Sequence, residues 1–275
     1  MSTHTDPVEL ECWLDTPLGR YVATREQAAF DSIVADVFGF NALQFGLSRL
    51  DFLASSRMPF KCRVDREGAV GLRADFRDLP IATGSVDLVL LPHVLEFSDD
   101  PHQILREVVR ILMPEGQVII SGFNPWSMWG ARRVLSRAPV GFPWGGRFIN
   151  LPRLKDWLSL LSFEVSGGRM GCYVPPFAQD KWLRRCDFME DAGDRWWPFM
   201  GGVYFLQAVK RVRGMRMIMP KWTDLRAAQK SLAPIAQNAG RGRVAARAGS
   251  ATRGRLSRAQ LTVLPGGRNW NAAGE

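Results

Sequence analysis

Residues 79–124 read LPIATGSVDLVLLPHVLEFSDDPHQILREVVRILMPEGQVIISGFN, and this stretch decides the fold. The apolar run Val86 to Leu91 is too short for a helix and too apolar for a surface loop, so it predicts a strand buried on both faces. Asp100 is placed as an N-cap, Pro101 at the first helical position and Gln103 to close a capping box. Ile104, Leu105, Val108, Ile111 and Leu112 then share one helical face, leaving Arg106, Glu107 and Arg110 to water. Pro114 stops the helix, and Gly116 turns the chain into a second buried strand, Gln117 to Ser121. The result is one β-α-β unit, hence a parallel sheet.

Upstream, Thr24 and Gln27 have capping-box spacing and open a helix with Ala29, Phe30, Ile33, Val34 and Val37 on one face, ended by Gly39. Ala42 to Leu47 reads as the first strand, followed by a short helix over Ser48 to Arg57. Phe60 to Val64 and Val70 to Ala74 both alternate apolar with polar, but few residues separate them. A parallel crossover needs a dozen or more residues, so the pair is expected to form an antiparallel hairpin. Downstream, helices are expected over Ala131 to Arg137, Pro152 to Leu161 and near Asp180 to Met189, and strands over Phe163 to Met170 and Val203 to Val212. An aromatic insertion at about residues 175–200 (Phe177, Trp182, Trp196, Trp197, Phe199) forms either a packed cap or a lid over a substrate.

The chain has 275 residues, 46% of them hydrophobic, enough for one substantial domain. Its formal charge of +9 is uneven. Residues 211–275 hold thirteen Lys/Arg and two Asp/Glu, a net of +11, which leaves −2 on residues 1–210. The expected organisation is a domain over 1–213 and a basic, disordered tail over 214–275. Arginines and lysines between 211 and 258 offer contacts to a nucleic-acid backbone, RNA in particular, or form a solvated tail. Cys12, Cys62, Cys172 and Cys186 are isolated, with no Cys-x-x-Cys pair, which fits a reducing cytoplasm. No signal peptide and no membrane span are expected.

The segment Asp75-Phe-Arg-Asp-Leu-Pro80, the strand Val86 to Leu91 and the line Glu107-Val-Val-Arg-Ile-Leu-Met-Pro-Glu-Gly116 resemble the type 11 group of class I S-adenosylmethionine-dependent methyltransferases. The resemblance implies an α/β, Rossmann-like sheet flanked by helices, with the crossover helix between the second and third strands shortened or replaced by the hairpin. It implies S-adenosylmethionine as cofactor and methyl transfer to an oxygen, nitrogen or carbon of an unidentified small molecule or RNA. By the same resemblance Asp75 lies near the adenine amino group, with Phe76 against the ring, or else caps a loop. The family's acid and three glycines after the first strand correspond here to Gln44-Phe45-Gly46-Leu47, so Gln44 and Gly46 are the cofactor-loop candidates. The family's ribose carboxylate has no evident counterpart, Asp65 being expected in a turn. Pro92 and His93 follow a strand end where ligands of such sheets bind. His93 is the candidate base toward the acceptor, or serves packing. Asn124 and Trp126 are candidates for the acceptor pocket. Asn124-Pro-Trp is similar to an amino-methyltransferase signature, but follows the next strand along from the one that carries it in that family. No metal is required. The alternative to an enzyme is a non-catalytic scaffold of the same fold, associated with RNA through its tail.

Overall fold

The computed structural model describes residues 12–135, 143–176, 180–186, 188–197 and 199–212. The expected tail over 214–275, Phe177 of the insertion and the end of the helix expected to reach Arg137 lie outside them.

The helix α1 (Pro17–Val34) begins earlier than its sequence suggests. Thr16 is the N-cap, its hydroxyl accepting from the Gly19 N–H at 3.0 Å, and Pro17 occupies the first turn. Thr24 lies inside the helix, with its hydroxyl donating to the Arg20 carbonyl. The Thr-Pro start overrides the later capping-box spacing. Gly39 does not end this helix; a Cβ there would sit 2.5 Å from the Asp87 side chain, so glycine is what lets the chain reach that carboxylate.

Seven strands follow: β1 (Asn41–Phe45), β2 (Phe60–Asp65), β3 (Leu72–Arg73), β4 (Val86–Pro92), β5 (Leu112–Phe123), β6 (Phe163–Gly171) and β7 (Val203–Lys210). Their order across the sheet is β3-β2-β1-β4-β5-β7-β6, with β7 antiparallel to both its neighbours and the other pairs parallel. Residues Ser48 to Arg57, expected as a helix, form turns. The hairpin expectation is also corrected. β2 and β3 pair in parallel, Val64 with Leu72 and Asp65 with Arg73, across the short link of residues 66–71. Such a link suffices because β3 has only two residues: the chain doubles back and Gly71 N–H bonds the Arg63 carbonyl at 3.1 Å.

The remaining helices are α2 (Pro101–Ile111), α3 (Met128–Leu135), α4 (Leu151–Leu160), α5 (Asp180–Arg185) and α6 (Phe188–Trp196). Asp100 caps α2 as expected, accepting from the Gln103 N–H at 3.0 Å; the Gln103 side chain turns instead to the Arg77 carbonyl. Alternate strand residues feed two cores. Leu43, Phe45, Val89 and Leu91 pack with α2 and α4 on one face, while Ala42, Leu88, Leu90 and Ile119 pack with α1 and Trp129 of α3 on the other. That double burial explains why the strand signal was continuous rather than alternating.

Asp87 is a structural clamp. Its Oδ2 accepts from the N–H groups of Phe40 and Asn41, both at 2.9 Å, fixing where β1 begins beside β4. Asp87→Ala is expected to lower the unfolding free energy by about 1.5–3 kcal/mol, read as a shift of the urea midpoint at unchanged slope.

Candidate functional site

The strand order reverses between β1 and β4, and the carboxyl ends of those strands flank the crevice where open α/β sheets take ligands. Left-handed backbone collects there: Gly46 (φ 68°), Leu47 (φ 46°) and His93 (φ 54°). Gly46 donates to the Val64 carbonyl at 2.9 Å, and a Cβ on it would lie 3.3 Å from Cγ2 of Val94. Glycine thus supplies both the backbone angle and the close approach at this turn.

Gln44 does not face the crevice with a free group. It is fully buried, its Nε2 donating to the carbonyls of Gly46 (3.3 Å), Leu47 (3.3 Å) and Leu50 (2.8 Å), while its Oε1 accepts from the Phe52 N–H (2.9 Å). A direct contact between this side chain and a ligand is therefore corrected to a brace that shapes the loop from beneath.

Asp65, which the sequence places in a turn, closes β2 beside that loop. It accepts from the Arg66 N–H at 2.8 Å and from the Ser48 hydroxyl, and burial pushes its carboxyl upward against those bonds. The sequence hides it because a hairpin places Asp65 in a turn, whereas the parallel pairing of β1 with β2 puts it at a strand's carboxyl end. An acid directly after Val64 on a strand flanking the first was the available signal.

Asp75 lies on the same rim, engaged by two guanidiniums. Arg77 Nη2 is 2.6 Å from Oδ2 and Arg66 Nη2 is 3.1 Å from Oδ1. The Arg77 hydrogen bonds, with help from Arg66, hold the carboxyl well below the usual carboxylate range. Phe76 stacks on Phe45 (5.3 Å between centroids, 5° between planes), and the Arg66 guanidinium lies 5.7 Å from its centroid.

His93 is buried between two carboxylates, with Nδ1 at 2.7 Å from Glu96 Oε2 and Nε2 at 2.5 Å from Glu26 Oε1 of α1. Burial disfavours its charge, but the charges and hydrogen bonds of Glu26 and Glu96 outweigh that and leave its pKa pushed up to about 10. An imidazolium donating from both nitrogens has no lone pair for an acceptor's proton, so the expectation of a base at this position is corrected. Glu96 also takes the Phe123 N–H at 2.6 Å, which ties α1, the turn after β4 and the end of β5 into one buried node. Pro92 is buried at the end of β4, opposite Ser121.

Asn124 and Trp126 separate. The Asn124 carboxamide donates to the carbonyls of Phe199 (2.9 Å) and Gly201 (3.0 Å) and accepts from the Trp126 N–H (3.1 Å), so it is engaged in fastening the chain after β5. Trp126 is 73% exposed and walls a cleft of about 410 Å³ shared with Arg147, Phe148, Arg153 and Trp157. The outer surface of the aromatic insertion is exposed at Trp196, Trp197 and Phe199, while Gly193 of α6 packs on Tyr173. Arg211, first of the basic series, pairs with Glu164 at 2.7 Å and with Glu115.

Residues 49–120, which include Asp65, Asp75 and His93 but not Gln44 or Gly46, match the type 11 methyltransferase domain. That match spans about a quarter of the chain. The chain's fold is that of a Thermotoga maritima SAM-dependent methyltransferase (TM-score 0.54, 17% identity, 74% of this chain and 96% of that one). It is similarly that of the putative methyltransferase bound to the activator Trm112 in Haloferax volcanii (TM-score 0.51, 14% identity, 76% and 99%). Among curated proteins, the uncharacterised YafS of Escherichia coli is 36% identical over 157 residues, or 56% of this chain and 65% of that protein. The demethylmenaquinone methyltransferase of Chlamydia pneumoniae is 26% identical over 136 residues, or 48% and 50%. The chain spans less than two thirds of the length of these curated relatives. No helix among the described residues is long and apolar enough to cross a membrane.

Proposed function

We propose that this protein is an S-adenosylmethionine-dependent methyltransferase whose cofactor lies across the carboxyl ends of β1, β2 and β4. The observation that carries the reading is the Gly46 turn beside Asp65. The turn bends under Val94 at an angle that suits glycine, and a half-buried carboxylate closes the neighbouring parallel strand. Asp65 has the acceptor chemistry a ribose diol needs, and the Gly46–Leu47 backbone offers a close approach to the amino-acid part. Asp75 and Phe76 form the adenine end, with Arg66 and Arg77 as its present neighbours, and Pro92 stiffens the wall opposite Gly46.

The bound cofactor would supply a methyl group on a sulfonium, with a good leaving group already built in. This chain's contribution is then to exclude water and orient the acceptor in line, which proximity alone can make large. Trp126 belongs on the acceptor side. The His93 node holds the wall of the site and takes no proton. Free thiols at all four cysteines fit a reducing cytoplasm as the place of work.

A non-catalytic scaffold is the second reading, favoured by the loop itself: one glycine, and a glutamine whose amide is taken up by backbone. Calorimetric titration with S-adenosylmethionine and S-adenosylhomocysteine separates the two. Micromolar binding is expected, weakened roughly tenfold or more (about 1.4 kcal/mol) by Asp65→Ala. Silence from both ligands in the intact protein would overturn the enzyme reading.

A further inference from the structure

The cleft beside Trp126 is basic, with two arginines and no acid in its lining. Arg49, Arg66, Arg77, Arg110 and Arg211 each pair with a carboxylate. Arg147 and Arg153, which both line the cleft, pair with none among the described residues, and no acid lines it. Two exposed arginines thus line one concavity that holds no acid.

The walls are aromatic. Trp126 stands 73% exposed on one side, Trp157 is buried at the base, and the Arg153 guanidinium lies 5.3 Å from the Trp157 ring centroid. Packing against Trp157, whose ring also meets His102, limits where Arg153 can place its charge. Arg147 is anchored through its backbone, its N–H donating to the Glu96 carbonyl at 2.8 Å. That bond joins the cleft to the turn after β4 and so to the rim that carries Gly46. The volume of about 410 Å³ is in the range of small-molecule sites and too small for a folded partner.

We infer that this cleft binds a small planar aromatic anion, its ring against Trp126 and its carboxylate or phosphate on Arg147 and Arg153. That the anion is the methyl acceptor rests on the function proposed above; that the cleft binds it does not. Guanidinium recognises both kinds of anion in the same forked manner, so the two sources are separated by experiment.

The probes are 1-naphthyl phosphate and 1-naphthoate, with 1-naphthol as the uncharged counterpart at pH 7. They are titrated without cofactor into the intact protein and into the Arg147→Ala, Arg153→Ala and Trp126→Ala variants. At least one anion is expected to bind roughly tenfold or more tightly than 1-naphthol. Each arginine substitution should remove most of that preference, added salt should weaken it, and Trp126→Ala should weaken all three probes. The tighter anion identifies the headgroup. Equal affinity for charged and uncharged probes, no binding of any probe, or anion affinity untouched by both arginine substitutions would overturn the inference. Such a failure alongside intact S-adenosylmethionine binding leaves the proposed enzyme standing; anion binding without cofactor binding does the reverse.

Discussion

Replacing His93 by leucine is expected to destabilise the fold by about 3–5 kcal/mol, the range for removing one partner from a buried ionic group. The size follows from what remains. Glu26 and Glu96 are 2% exposed and are held by the same imidazolium from opposite sides, so its removal leaves two carboxylates facing each other in the core. Glu96 keeps the Phe123 N–H, but Glu26 loses the buried partner that joins α1 to the turn after β4. Urea denaturation near neutral pH checks the magnitude, and a loss below about 1 kcal/mol would mean the node is relieved by water.

The same node gives wild-type stability a pH signature. A histidine whose pKa is pushed up to about 10 in the fold, from an ordinary 6.5, keeps its proton over a window where the unfolded chain releases it. The native state then binds more protons, so stability is fully present below about pH 6.5 and falls as pH rises toward 10. Glu96, whose carboxyl burial pushes up, adds a fall in the same direction from its ordinary 4.5. The buried Cys172 thiol and Tyr204 phenol, both raised by burial, contribute above about pH 9. The diagnostic interval is therefore pH 6.5 to 9, where the histidine's share amounts to about 3 kcal/mol as an upper bound. His93→Leu should flatten the profile there, and an unchanged slope would refute the assignment.

What the sequence disclosed and what it hid divide along a physical line. The β4-α2-β5 unit was legible because local signals agree with tertiary ones: a continuous apolar run, an Asp-Pro cap and a proline stop all serve the same topology. The Thr16-Pro17 start escaped notice because a second capping pattern, Thr24 with Gln27, lay inside the same helix. β3 is hidden because two residues carry no period, and an antiparallel reading of its pairing puts Asp65 in a turn and not at a strand end. Buried polar nodes were invisible for another reason. Glu26 is far from His93 in sequence, and nothing in an amphipathic helix marks which glutamate turns inward. Gly46, by contrast, is marked by the resemblance, and the backbone there takes a left-handed turn.

Gln44→Glu tests what the difference from the type 11 pattern at the proposed cofactor loop means. If Gln44 were merely a weakened version of the family's acid, the substitution would improve cofactor binding. The geometry leads to the opposite expectation. Nε2 donates to three carbonyl oxygens in a site with no exposed surface, and a carboxylate would set negative charge against those same oxygens with only the Phe52 N–H in its favour. Removing the donors and burying a charge together should cost about 3–5 kcal/mol, unless the glutamate binds a proton and the loss shrinks as pH falls. Gln44→Leu removes the donors without adding charge and should cost less, about 1–3 kcal/mol. Both variants should bind S-adenosylmethionine more weakly than the parent, because the Gly46–Leu47 turn takes its left-handed course above those bonds. Tighter cofactor binding by Gln44→Glu, with stability intact, would show that the glutamine stands in for an acid that contacts the ligand. Its role in the structure is different. Where the family relies on three glycines to bring the loop close, this chain has one glycine and a buried amide holding three carbonyls in place.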